Sequence, residues 1–325
     1  MYILGFDIGG TKCAVLLGRC SDGNIEIIKK VAFSTPAVDE ALEKIFSLVA
    51  ELTAEHSCRA IGISCGGPLD EERGLILSPP NLPGWDKIDI CRMLTERFGI
   101  PAYLRNDANA CALAEWKFGA GVGTKNMVFF TFGTGLGAGI IIDGRLYSGT
   151  NGMAGEAGHI RLAKSGPVGY GKAGSFEGFC SGGGIAKLAK AKAESALRRG
   201  RPFAFAKNEE QIASITTKTV AEFAKNGDKD ALGIFRTVGK RLGEGLSVII
   251  DILNPEAIVI GSIYARCENL LYGAAMSVIK KEALAESVSV CELLPAKLGE
   301  SIGDVAALTV AIDGYEASSI NKGDI

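Results

Sequence analysis

The chain has 325 residues, 47% hydrophobic and 22% charged, the balance of a globular protein with room for two domains of ordinary size. A net charge of −2 gives nucleic acid or an anionic membrane surface no electrostatic foothold, and runs such as GLSVIIDILNPEAIVIGSI are broken by Asp251 and by Asn254-Pro255-Glu256 before they could span a bilayer. Nine scattered cysteines without a CxxC or CxC pair argue against a disulfide framework and a thiolate zinc site; with no basic segment before the apolar start, which Asp7 interrupts, a cytoplasmic protein is expected.

YILGFDIGGTKCAVLLG predicts two short strands around a glycine turn, and Asp22-Gly23 predicts a hairpin turn into a third strand, IEIIKKVAF. Helical periodicity follows in ALEKIFSLVAELTAEH, then a strand in AIGIS, a strand in PAYLRN and a helix in ANACALAEWKFG with Asn106-Asp107 at its entrance. After Gly119 the pattern starts again. MVFFTFGTGLGAGIII is strand, glycine turn, strand, and Asp143-Gly144 makes the next turn. Helices are predicted near 181–199, over 216–226 and over 229–253, the last with Leu232, Phe235, Val238, Leu242, Leu246, Ile249 and Leu253 on one face. EAIVIGS is a strand, SVSVCELL another, and DVAALTVAIDGY closes the chain as a helix. Each half opens with hairpin strands around a glycine-rich turn and then alternates strands with helices, a quasi-repeat that gives two α/β halves with a cleft between them.

DIGGTK (7–12) sits between two strands, so it is neither a P-loop nor a dinucleotide fingerprint, both of which need a following helix. Its chemistry still suits phosphate. Gly9 and Gly10 let backbone N–H groups approach an anion, Thr11 and Lys12 add a hydroxyl and a positive charge, and Asp7 suits Mg²⁺ held through water. One such turn is equally an ordinary hairpin. TFGTGLGAG (131–139), with Thr131, Gly133, Thr134, Gly135 and Gly137, repeats it at the start of the other half, as a clamped nucleotide would require.

DIGGTK, RNDANACALAEW, TFGTGLGAGI, GEAGH and LNPEAIVIGS together resemble, in order and spacing, the ROK family of bacterial sugar kinases, over about residues 3–312. The resemblance implies two actin-like (ribonuclease H-like) ATPase domains with a cleft between them. The first would cover 1–118, joined by the closing helix at about 303–325, and the second 119–302. It also implies a cytoplasmic homodimer using ATP and Mg²⁺, with Gly261 of EAIVIGS at the adenosine, although Ser262 stands where the family commonly has a second glycine.

Read from residue type alone, Asp107 is an N-cap. The resemblance implies instead that Asp107 accepts the proton of a sugar hydroxyl, with Asn106 beside it. Phosphoryl transfer needs such a carboxylate together with positioning and charge stabilisation. It implies further sugar contacts from Gly67 in SCGGPLD, Asn81 in SPPNLPGW, Glu156 and His159 in GEAGH, and Glu177 in GSFEG. Most of the family also holds a structural zinc through this histidine and three cysteines. Here those three positions are Val168, Tyr170 and Ser175, while Gly171, Gly174 and Glu177 remain. Val and Ser are not zinc ligands and Tyr is a poor one, so no zinc is expected. Val168, Tyr170 and Phe176 are expected to pack as an apolar plug in its place.

The expected activity is ATP-dependent phosphorylation of a hexose, glucose O6 first. Fructose, mannose, allose, N-acetylmannosamine and N-acetylglucosamine are the alternatives, and polyphosphate an alternative donor. A non-catalytic sugar sensor related to ROK repressors is the competing class. Only six residues precede Asp7, which leaves a repressor's helix-turn-helix no room, and LRRGRPF (197–203) reads as a solvated helix end.

Overall fold

The computed structural model describes residues 1–21 and 23–323. The expected Asp22-Gly23 turn rests on Asp22, which lies outside them. β1 (Tyr2–Ile8) and β2 (Lys12–Ser21) are antiparallel around the first glycine turn, and β3 (Asn24–Ser34) continues the meander. α1 (Val38–Glu55) buries Ala41, Leu42, Ile45, Val49 and Leu52, one helical stripe. β4 (Cys58–Cys65) returns parallel to β1. A small three-stranded sheet of β5 (Leu69–Asp70), β6 (Leu75–Leu77) and β7 (Asp86–Ile88) leads to α2 (Ile90–Phe98), which Asp89 caps and a left-handed Gly99 ends. β8 (Ala102–Asn106) runs parallel to β4 and passes directly into α3 (Asp107–Phe118).

In the second half β9 (Met127–Phe132), β10 (Leu136–Ile142) and β11 (Arg145–Leu146) repeat the opening. β12 (Val168–Gly169) and β13 (Lys172–Ala173) form a short hairpin before α4 (Phe176–Phe179), α5 (Gly182–Arg198), α6 (Glu209–Ala213), α7 (Thr217–Lys225) and α8 (Lys229–Leu253). β14 (Ala257–Ile260), α9 (Ile263–Glu282), α10 (Ala285–Val290), β15 (Glu292–Pro295) and α11 (Ile302–Gly323) complete the chain.

The repeat is exact in topology. One sheet has the order β3-β2-β1-β4-β8 and the other β11-β10-β9-β14-β15, third-second-first-fourth-fifth in both. In each, the first, fourth and fifth strands are parallel. This is the doubled α/β architecture that the actin-like resemblance implies.

Two expectations need correction, and one helix lies outside the expected elements. SVSVCELL is not one strand: its first half belongs to α10, and only Glu292–Pro295 is extended. Small polar and apolar residues alternate there in the manner of a strand, but Ser and Val also suit one helical turn. On α8, Leu232 is 36% exposed and Ile234 takes its inward place. The whole of α9 went unread. Its buried positions Cys267, Leu271, Ala275 and Ile279 keep helical spacing, yet two are small or weakly apolar, and the backbone at Cys267 is non-helical.

Two compact units result: residues 1–123, 139–154 and 297–325, and residues 124–138 with 155–296. Successive residues of the first sheet face opposite layers, as strand geometry requires. Leu4, Phe6, Val15, Leu17, Ile61 and Ile63 meet α1, while Ile3, Ala14, Leu16 and Ala60 meet Ala307, Leu308 and Ala311 of α11. α11 lies against bare backbone there. A Cβ on Gly62 would overlap the carbonyl of Ala307 and the nitrogen of Ala311, and one on Gly5 would stand 2.9 Å from the nitrogen of Leu308. Gly62→Ala is therefore expected to destabilise the protein by about 1–3 kcal/mol, the usual cost of overpacking. The urea midpoint should fall at unchanged slope; an unchanged midpoint would mean that α11 can move away without loss.

Candidate active site

In the first unit, the glycine turn is braced from β3. Gly9 N–H donates to Lys12 C=O (3.1 Å), Thr35 Oγ1 donates to Gly9 C=O (2.6 Å), and Thr35 N–H donates to Thr11 C=O (3.1 Å). Gly10, Thr11 and Lys12 remain exposed. Gly10 is required by a neighbour, because a Cβ would overlap the carbonyl of Asn81. The Asn81 segment and the first glycine turn thus touch.

Asp7 ends β1 beside this turn. Burial, then Asp304 and Asp107, push its carboxyl up to about 6, against the opposing pull of Lys30 and Lys12. Lys30 also holds Asp304 at 2.6 Å. Asn106 and Asp107 sit at the same end of the sheet, since Ile8 pairs with Cys65 and Cys65 with Asn106. Asn106 is the N-cap of α3: its Oδ1 accepts from Ala108 N–H (3.0 Å), leaving Nδ2 facing Gly67 across a cis Gly67-Pro68 bond. Asp107 Oδ1 accepts from the same N–H at 2.8 Å. The Asp107 side chain reaches solvent, as a group that must touch a ligand has to. Protein nevertheless crowds it, and that loss of water holds its carboxyl above the ordinary value, while the Ala108 bond pulls the other way.

A carboxyl raised by two neighbouring carboxylates, as Asp7 is by Asp304 and Asp107, suits a cation. Among the described residues no three His, Cys, Asp or Glu side chains converge to ligate one ion directly. Asp7 therefore fits magnesium in the way that ion is commonly held, by one or two carboxylates with waters and phosphate oxygens completing the shell.

The second unit gathers three further segments. Gly133 N–H donates to Gly135 C=O (3.1 Å), and Gly182 N–H at the start of α5 donates to Gly133 C=O (2.8 Å). Thr131 Oγ1 accepts from Gly137 N–H (3.1 Å), so its hydroxyl closes the turn, whereas Thr134 is exposed. Glu177, placed by the one-turn helix α4, accepts from Leu136 N–H (3.1 Å) and lies against Gly135. Glu156 and His159 flank a 3₁₀ turn, and Gly158 within it packs on Leu136 and Glu177. Gly261 is buried behind Phe129 at the end of β14. Ser262 follows with φ 53° and ψ −114°, a conformation natural to glycine, and its Oγ lies toward Gly133.

The expected apolar plug does not form. Val168 is 44% exposed and Tyr170 77% exposed, because Tyr170 (φ 41°) and Gly171 (φ 76°) make the two-residue corner of the β12–β13 hairpin and point outward. Phe176, at the start of α4, instead turns into the core against Phe130, 5.9 Å between ring centroids. Hydrogen bonds hold the loop. Ser175, fully buried, accepts from Gly178 N–H (3.0 Å); Lys172 Nζ donates to His159 C=O (2.7 Å) and Lys187 Nζ to Val168 C=O (2.9 Å). The Tyr170 ring meets His159 edge-on at 5.2 Å.

Two side chains of the first unit's site escaped the sequence reading. Thr35 is a lone threonine after a strand. Glu71, in the run DEER, looks like solvated turn charge, yet its side chain is only 8% exposed.

The ROK family profile matches residues 3–313. The chain belongs to the ROK family. Glucokinase from Streptomyces coelicolor is 32% identical over 311 residues, covering 95% of this chain and 96% of its own. The ROK glucokinase of Streptomyces griseus, solved with glucose and AMPPNP, is 30% identical with a TM-score of 0.74, over 97% of this chain and 100% of that one. The xylose repressor of Bacillus subtilis is 25% identical over 97% of this chain, which spans 78% of the repressor. Kinases and repressors thus share this ROK scaffold.

Asp7→Asn tests the acidic cluster. Below pH 3.8 Asp7 is protonated in the folded and the unfolded chain, so stability is unchanged by the substitution. Between 3.8 and about 6 the wild type progressively loses the stability that a protonated Asp7 provides. Above that range Asp7→Asn should be more stable in the absence of ligand, by on the order of 2 kcal/mol. Equal melting temperatures at pH 8 would place Asp7 outside the cluster. The loop yields a second expectation: a chelator leaves the melting temperature unchanged, and metal analysis finds less than stoichiometric zinc in protein purified without added metal.

Proposed function

We propose that this ROK protein is an ATP-dependent sugar kinase acting on a hexose, with glucose O6 as the first-choice hydroxyl. The observation that carries the reading is Asp107: a solvent-reaching carboxylate at the start of α3, raised above its ordinary value, beside an exposed glycine turn and Asp7. The likeness to glucokinases over nearly the whole chain supports it.

In this reading Asn106 Nδ2, the Asn81 segment and Gly67 hold the sugar in the first unit. Asp107 accepts the proton of the sugar hydroxyl as its oxygen bonds to the γ-phosphorus; the bond from that phosphorus to the bridging oxygen breaks, and ADP leaves. A carboxyl held above its ordinary value is the better proton acceptor, provided it is ionised at working pH. The turn at 9–12 presents backbone N–H groups to the donor phosphates. Magnesium, when bound through Asp7, would neutralise phosphate charge.

The repressor relative keeps a second reading in view, a sugar sensor without turnover. ADP release from Mg·ATP, and separately from polyphosphate, over glucose, fructose, mannose, allose and the two N-acetylhexosamines decides. One sugar should drive turnover, and Asp107→Asn should lower kcat by about 10²–10⁴ while sugar binding persists. Tight sugar binding with no turnover in the wild type would favour the sensor.

A further inference from the structure

We infer that Glu71 is the positioning residue for the Asn106-Asp107 turn, fixing the direction in which the candidate base and its neighbouring amide face the sugar. The inference rests on the sugar kinase reading. Glu71 occupies the corner between β5 and β6, beside exposed Glu72 and Arg73, but turns inward. Its Oε1 accepts from the N–H of Asn106 (2.7 Å) and from Nδ2 of Asn109 (3.2 Å). Its Oε2 accepts from Oγ of Ser148 (3.3 Å) and lies 3.7 Å from the guanidinium of Arg105. Every group facing the carboxylate is a donor, so an ionised carboxylate satisfies all of them, and this compensates the cost of burying its charge.

The reason for the arrangement lies in the sheet. β8 is an edge strand, so the outward N–H of Asn106 has no neighbouring strand to accept it. Left unpaired, that N–H would leave the Arg105–Asn106 peptide, one residue before α3, without an anchor on its outer side, and the path of the chain into Asp107 less fixed. Glu71 takes the missing strand's place. With its N–H fixed and its Oδ1 committed to Ala108, Asn106 has one free pair of donors, on Nδ2, and they face Gly67. Asn109 shows how strongly the carboxylate organises its surroundings: its amide nitrogen is turned to Glu71 although its Oδ1 is then buried without a partner.

Reach and charge can be separated in the full-length protein. Glu71→Gln keeps the reach and an acceptor for Asn106 N–H; Glu71→Asp keeps the charge but is one methylene too short. If Glu71 acts by position, Glu71→Gln retains kcat within about threefold, and Glu71→Asp loses roughly tenfold or more with the KM for ATP unchanged. The reverse order, or two variants that both keep wild-type kcat, overturns the inference. Amide hydrogen exchange reads the same anchor without any substrate. Exchange at Asn106 and Asp107 should accelerate in Glu71→Asp relative to Leu104 of the same strand, and uniform acceleration along β8 also overturns the inference. A wild type that phosphorylates no sugar defeats the kinase reading, and the exchange measurement then still decides whether Glu71 holds the turn.

Discussion

The first unit depends on a helix that meets a sheet at two points of bare backbone. α11 arrives from the far end of the chain and settles on β1 and β4 where Gly5 and Gly62 remove the side chains that would keep it away. That contact does more than fill a core layer. It brings the first turn of α11 to the end of β1, with Gly303 near the Asp7 carboxylate and Asp304 close enough to raise its pKa. The acidic cluster is therefore a consequence of helix docking, and its spacing is set by packing that tolerates little adjustment.

Around that cluster each polar group has one assignment. Asp7 ends a central strand, Asp107 begins a helix, and the glycine turn between β1 and β2 is braced from the side by Thr35. Backbone makes the turn and side chains carry the charge beside it. The second unit reuses the device with different bracing. Its turn is tied by Gly182, Thr131 and Glu177 in place of a neighbouring strand.

Much of this was legible in the sequence, because paired glycine turns, alternating strands and the boundaries of α8 are local signals. The cap of α3 falls on Asn106, one residue before the Asp107 that residue type suggests, because Asn106 Oδ1 reaches Ala108 N–H and Asp107 is already helical. What escaped depends on partners distant in sequence. Glu71 is indistinguishable from Glu72 until β8 becomes an edge with an unpaired N–H. Tyr170 and Phe176 are both aromatic, and only the corner of a two-residue hairpin decides that one points to solvent and the other to the core. α9 buries small residues against α8, where Gly239 and Gly243 admit it closely. Contact made by glycine and alanine leaves little hydrophobic pattern to read.

The loop from Gly158 to Phe179 carries one more implication. A loop tied by thiolates and histidine becomes ordered when its ion arrives, so that part of the molecule matures at the pace of metal delivery. Here the same path is closed by a hairpin corner, a buried serine and two lysines reaching back to carbonyls, all encoded in the chain itself. These contacts form with the fold itself, at the pace of the residues that make them.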